Sequence, residues 1–197
     1  GFIGSHFSKI AIKKGYNITV LDKLTYSGSK ENLLELKNVK EFEFIQGSIL
    51  DEILLSSIFK KKKYDAILNF AAETHVDRSI ENSSEFILTN VLGVQKLVSF
   101  AMDLFLNNRD FKFIQISTDE VFGSIAKGNF TEDSKYDPNS PYAASKAGGD
   151  HIVSSYCRTF NFPGIITNCS NNYGGNQFPE KLVPLLIIKA IQNKSLP

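Results

Sequence analysis

Two periodicities alternate along this chain, and that alternation constrains the fold more than any other feature. Residues 17–21 (NITVL), 42–46 (FEFIQ), 65–70 (DAILNF), 111–117 (FKFIQIS) and 164–169 (GIITNC) are short, apolar and rich in β-branched or aromatic side chains. Such runs form strands covered on both faces. Helical patterns lie between them, near 4–14, 29–36, 51–61, 84–107, 141–160 and 180–193. Repeated strand-helix alternation predicts an α/β protein with a doubly wound parallel sheet covered by helices on both faces. Ligands of such sheets sit outside the carboxyl ends of the strands. With 42% hydrophobic and 12% aromatic residues among 197, the chain can bury one substantial core. No internal repeat or low-complexity linker marks a boundary.

A net charge of +1 gives no electrostatic case for a nucleic-acid partner. The basic run Lys60 to Lys63 reads as the solvated end of a helix whose dipole favours cations. Two cysteines, Cys157 and Cys169, make no disulfide framework, and no signal peptide or long apolar span is read, so a cytoplasmic protein without a membrane partner is expected. Three scattered histidines suggest no metal site. The chain opens directly on a glycine turn entering a helix, GFIGSHFSKIAIKKG, and stops at Pro197 just after another helix. Truncation at both ends is the expectation.

Gly1 and Gly4 frame a turn that lets backbone amides approach a pyrophosphate at a helix N-terminus. Asp22 closes the next strand 18 residues after Gly4, near the spacing at which an acid binds the adenosine ribose hydroxyls. A carboxylate there repels a 2′-phosphate, which favours NAD over NADP. In YAASK, Tyr142 and Lys146 are four apart on one helix face. The ammonium near the phenol would lower its pKa and make it a base. Tyr26 and Lys30 have the same spacing, but Tyr26 follows the ribose-binding strand, where it neighbours only the adenosine. ISTDEVFG places Asp119 and Glu120 side by side, after Thr118, at the expected end of a strand. Adjacent carboxyls raise each other's pKa, so this pair is either an ordinary exposed turn or a deliberate acid-base device.

The segments GFIGS, LDKLTYSG, AAETHVDRS, ISTDEVFG, SPYAASKA, NCSNNYG and QFPEKLVP, in this order and spacing from residue 1 to 197, resemble the successive signatures of the dTDP-glucose 4,6-dehydratases. These are extended short-chain dehydrogenase/reductases with a Rossmann-type NAD-binding fold. The resemblance implies a Rossmann domain over 1–170 that lacks its first strand, and the beginning of a substrate-binding region over 171–197 with the remainder absent. It also implies a nucleotide-sugar substrate, a homodimer and a role in deoxysugar biosynthesis. The family oxidises the sugar at C4, eliminates water across C5 and C6 and returns the hydride to C6, regenerating NAD.

By that resemblance Asp119 protonates the leaving C6 hydroxyl, Glu120 abstracts the C5 proton, Thr118 hydrogen-bonds near O4 beside Tyr142, and Lys146 holds the nicotinamide ribose. Phe2 and Ile3 match backbone contacts to the pyrophosphate. Asp22, Lys23, Leu24 and Thr25 match the adenosine-ribose loop, and Ser48 and Ile49 the adenine side. Ala71, Ala72, Glu73, Thr74 and Thr89 match the nicotinamide wall, and Thr74 also a sugar contact. Asn171 is expected at the sugar nucleotide and Asn172 at the cofactor, with Lys181, Leu182 and Pro197 at the substrate. Two departures stand out. Ser48 replaces the family's usual aspartate beside adenine, and Gly174, Gly175 and Asn176 replace a Gly-Pro segment, which predicts a looser loop. A UDP-glucose 4,6-dehydratase, a 4-epimerase and a non-catalytic NAD-binding module stay open as alternatives. The acid pair argues against the epimerase, which needs no C5 base.

Overall fold

A computed structural model describes residues 1–196, and they form two compact units: Gly1–Gly47 with the segment from Asn171 onward, and Ser48–Ser170. All strand pairs are parallel. The α/β, Rossmann-like class is therefore as expected, although the strands form a two-stranded and a three-stranded sheet, and no described strand joins them.

In the first unit α1 (Phe2–Lys13) packs on β1 (Ile18–Asp22), which pairs with β2 (Phe42–Gln46) from Ile18 opposite Phe42 to Asp22 opposite Gln46. Ser5 and Ser8 can lie on the buried face of α1 because their hydroxyls donate back to the Phe2 and Gly4 carbonyls, each at 2.8 Å. The expected helix over 29–36 is a 3-10 helix, Lys30–Leu36. Its buried residues, Leu33 and Leu36, are three apart, the spacing at which 3-10 side chains eclipse on one face. α7 (Leu182–Ile191) is shorter than the 180–193 pattern.

The second unit orders its strands β3 (Ala66–Asn69), β4 (Lys112–Thr118) and β5 (Gly164–Cys169), with β4 central. α6 (Pro141–Phe160) packs on β4 and β5, α5 (Val94–Asn107) packs on β4, and α2 (Glu52–Lys61) packs on α5. Phe113, Gln115 and Ser117 of β4 point to the buried side, as period-2 alternation requires. The Phe162 ring sits against Phe113 and Phe105, at centroid separations of 5.6 and 6.1 Å. Ser140 caps α6 by accepting from the Ala143 amide, Pro141 opens its first turn, and Asn161 ends it in the left-handed region at φ 53°.

Further features differ from the sequence reading. AAETHVDRS, where the sequence pattern marks no helix, contains a short one, α3 (Val76–Glu81), with His75 at its N-cap. The pattern over 84–107 is helical throughout but changes pitch: α4 (Ser84–Ile87) passes through a π turn at Leu88–Gly93 into α5. That Ser84–Asn107 run is also long and apolar enough to cross a membrane by length and composition, contrary to the reading of no long apolar span. Its Val94, Leu97, Val98, Ala101 and Phe105 are buried within the unit, as in a core helix.

Candidate active site

The acid pair stands where β4 runs out. Thr118 ends the strand, and its hydroxyl accepts from the Glu120 amide at 3.2 Å, turning the chain into a short 3-10 helix, Asp119–Phe122. The same hydroxyl lies 3.3 Å from Asp119 Oδ1. Val121 and Phe122 are buried and anchor this turn, leaving Asp119 half-buried and Glu120 exposed. Gly123 follows at φ 80°, and a Cβ there would lie 2.2 Å from the Asp137 carbonyl oxygen. Only glycine allows that closure.

Tyr142 is brought to this turn from the start of α6. Its phenol hydrogen-bonds Thr118 and feels the charges of Glu120 and Asp119. The phenol is pushed well above its ordinary range, first by burial and then by Glu120, with the Thr118 hydrogen bond opposing. This differs from the expectation that Lys146 lowers the phenol. The Lys146 ammonium instead donates to the Ile116 carbonyl at 2.6 Å, and its own pKa is lowered by burial. Thr118, Asp119, Glu120 and Tyr142 thus converge, while Lys146 lies on the same helix face and is turned toward β4.

Three residues that the sequence reading passed over build this arrangement. Ser79, in AAETHVDRS, is fully buried; its hydroxyl accepts from the Tyr142 amide at 3.0 Å and donates to the Val76 carbonyl. α3 therefore holds the first turn of α6. Asn90, in the π turn, accepts from the Glu73 amide at 2.9 Å and donates to the Glu73 carbonyl at 3.0 Å and to Ser145 Oγ at 2.9 Å. It fixes the loop Ala71 to Thr74 between β3 and α3, with Thr89 beside it. A π turn at a functional site is a recurrent association, but no propensity marks it in sequence. Asp150 is the third, one turn beyond Lys146 and 1% exposed.

Ser48 turns its hydroxyl to the Leu50 amide at 3.1 Å, serving its own turn before α2. Ile49 is buried, and a Cβ at Gly93 would lie 2.7 Å from its Cδ1, so its side chain is committed to packing.

The first unit holds the other expected residues. Gly1 is the N-cap of α1 and offers no side-chain cap, and Phe2, Ile3 and Gly4 form the first turn, so its amides lack side-chain partners. The Gly1 nitrogen lies 2.7 Å from Asp22 Oδ2, and Asp22 Oδ1 accepts from the Leu24 amide at 2.8 Å. Leu24 is held at φ 56° between Lys23 and Thr25. Uncapped amides beside a carboxylate that closes β1 are donors for phosphate and an acceptor for ribose hydroxyls, so these residues fit a dinucleotide. Phe2, Ile3, His6 and Asn172 line one shallow concavity with Tyr173 and Gly174. The segment expected to be loose is pinned: His6 Nε2 donates to the Gly175 carbonyl at 2.8 Å, and a Cβ at Gly174 would touch the Phe2 ring at 3.3 Å. Tyr26, expected to neighbour only the adenosine, instead donates to Glu180 Oε1 at 3.0 Å and stacks edge-on with Phe178. Lys181 and Leu182 start α7, Asn171 is exposed, and Pro197 lies outside the described residues.

Residues 1–196 match the family model described as GDP-mannose 4,6 dehydratase. The whole chain is 45% identical to a dTDP-glucose 4,6-dehydratase of Xanthomonas campestris pv. campestris (strain B100) and 42% identical to one of Escherichia coli. It spans 58% and 59% of their lengths. Among solved structures, a dTDP-glucose 4,6-dehydratase from Streptomyces venezuelae with NAD bound superposes at TM-score 0.93 with 44% identity, covering 100% of this chain and 61% of that one. A UDP-glucuronic acid 4-epimerase from Bacillus cereus, bound to UDP-glucuronic acid and NAD, gives TM-score 0.89 at 28% identity, with coverage of 100% and 62%.

Proposed function

The chain belongs to the GDP-mannose 4,6 dehydratase family, and from that premise we propose that the protein is an NAD-dependent dTDP-glucose 4,6-dehydratase. Residues 1–170 serve the cofactor and residues 171–197 begin the substrate region. The observation that carries the reading is the convergence of Thr118, Asp119 and Glu120 on the Tyr142 phenol at the end of β4.

Bound NAD would accept the C4 hydride and later return it to C6. The chain's own residues move the protons. Tyr142, in its ionised form and with Thr118 beside it, takes the C4 hydroxyl proton and becomes the phenol. Ketone formation acidifies C5, where Glu120, exposed at the end of β4, acts as base. Asp119, half-buried and next to the Thr118 hydroxyl, delivers a proton to the departing C6 hydroxyl. Lys146 and Asn172 hold cofactor, and Asn171, Lys181 and Leu182 hold substrate. Ser48, with its hydroxyl turned to Leu50, leaves adenine recognition to backbone groups. A cytoplasmic homodimer completes the proposal.

A 4-epimerase moves hydrogen only at C4, so the acid pair favours the dehydratase over that relative. The test is incubation of full-length protein with dTDP-glucose, UDP-glucose and GDP-mannose, followed by mass spectrometry. Loss of one water from dTDP-glucose is expected. Loss from another sugar instead would move the nucleotide assignment, and an isomer without water loss would replace the dehydratase by an epimerase.

A further inference from the structure

Asp150 is used by none of these steps, yet it is the most enclosed carboxylate near the site. It lies four residues after Lys146 on one face of α6, and the two are 1% and 4% exposed. Asp150 Oδ2 accepts from Ser117 Oγ of β4 at 2.5 Å and from the Tyr136 hydroxyl at 3.2 Å. Oδ1 is buried and accepts from no described residue. A buried carboxyl with an unsatisfied oxygen is costly, and an amide or hydroxyl would serve the same two donors without the charge. Something must reward the charge itself.

The neighbour that does so is Lys146. A buried ammonium without a counter-charge sheds its proton. We infer that Asp150 is a positioning residue whose buried carboxylate, fixed by Ser117 and Tyr136, keeps Lys146 charged on the Ile116 carbonyl, so that its two remaining N–H donors stay available to the nicotinamide ribose. The inference rests on the dehydratase reading for the role of Lys146. The surrounding charges agree with it. Burial lowers the Lys146 pKa, while Asp150 and the Cys169 thiol on β5 oppose that shift. Burial raises the Asp150 pKa, and Ser117, Lys146, Tyr136 and the neighbouring His151 oppose it. Burial is the larger influence on both groups, and each member of the pair opposes it in the other.

Asp150→Asn keeps both hydrogen bonds and removes the charge. In full-length protein labelled with ε-13C lysine, the Lys146 resonance, assigned with Lys146→Arg, should titrate about one pH unit or more lower in Asp150→Asn than in the parent. The alkaline limb of single-turnover NADH formation from dTDP-glucose should move down with it. An unchanged resonance midpoint overturns the inference, because a merely structural carboxyl leaves it in place. If Asp150→Asn does not fold, Ser117→Ala tests the same point from the other side. Without that hydrogen bond Asp150 protonates at higher pH, so the acid inflection it imposes on the Lys146 resonance should move up, and an unmoved inflection is equally fatal. If the parent forms no NADH, the dehydratase reading fails while the resonance still decides the role of Asp150.

Discussion

Two helix starts, one in each unit, carry proposed functional residues, and they are built in opposite ways. At α6 the helix N-terminus is closed: Ser140 caps it, Pro141 opens it and the Ser79 hydroxyl takes the Tyr142 amide. At α1 the N-cap is Gly1, with no side-chain cap. The closed start has no amides to offer a ligand, but it fixes the side chains that follow. The open start fixes little, but it leaves donors and the positive end of the helix dipole for an anion. Chemistry at one helix is done by side chains, and recognition at the other by backbone.

The largest test of this contrast removes a side chain from the closed start. Tyr142→Phe keeps the cap, the burial and the Ser79 contact but removes the base. Single-turnover NADH formation should fall by roughly 10²–10⁴, as expected for loss of a general base. Thermal stability should hardly change. An unchanged rate would take Tyr142 out of the reaction.

The open start is tested by closing it. Ile3 is 38% exposed in the first turn of α1, and Ile3→Asp places a carboxylate where the dipole favours one. Helix stability should hold or rise, by about 0.3–1 kcal/mol, while NAD affinity should fall about tenfold, near 1.4 kcal/mol, because the new charge meets the pyrophosphate. Calorimetric titration with NAD measures the affinity, and thermal unfolding measures the stability. Equal affinity would mean that the phosphates bind elsewhere.

Next in size is the support beneath Tyr142. Ser79→Ala leaves the Tyr142 amide buried and unpaired, which should cost about 1–3 kcal/mol in denaturant unfolding. NADH formation should slow by less than in Tyr142→Phe, because the phenol is misplaced rather than lost.

The contrast also separates what the sequence reveals from what it hides. Strands showed themselves through apolar runs, and Gly1, Asp22, Tyr142 and the acid pair through spacing, because these signals are local. Ser79, Asn90 and Asp150 act across 63, 17 and 33 residues, through hydrogen bonds to Tyr142, Glu73 and Ser117 respectively. No local pattern distinguishes them from any serine, asparagine or aspartate on a helix. α3 was missed for a related reason: its six residues carry one buried side chain, Ser79, so no apolar stripe announces it. The direction of the Tyr142 shift was misjudged because four-residue spacing places Lys146 on the right face, but not its ammonium, which the Ile116 carbonyl claims.

The smallest effect lies at the boundary between enclosed and exposed groups. Glu120 is exposed, yet its charge is the chief electrostatic influence raising the Tyr142 phenol, ahead of Asp119. Glu120→Gln removes that charge, so the phenolate forms at lower pH. The acid limb of NADH formation should therefore move down, by about half a pH unit, since water screens a charge so exposed. Asp119→Asn should move the limb less. The measurement is clean because Glu120→Gln also stops removal of the C5 proton, so NADH accumulates and solvent deuterium no longer enters C5. A limb that moves upward would mean that Glu120 assists the phenolate, and a limb that stays in place would belong to a group other than Tyr142.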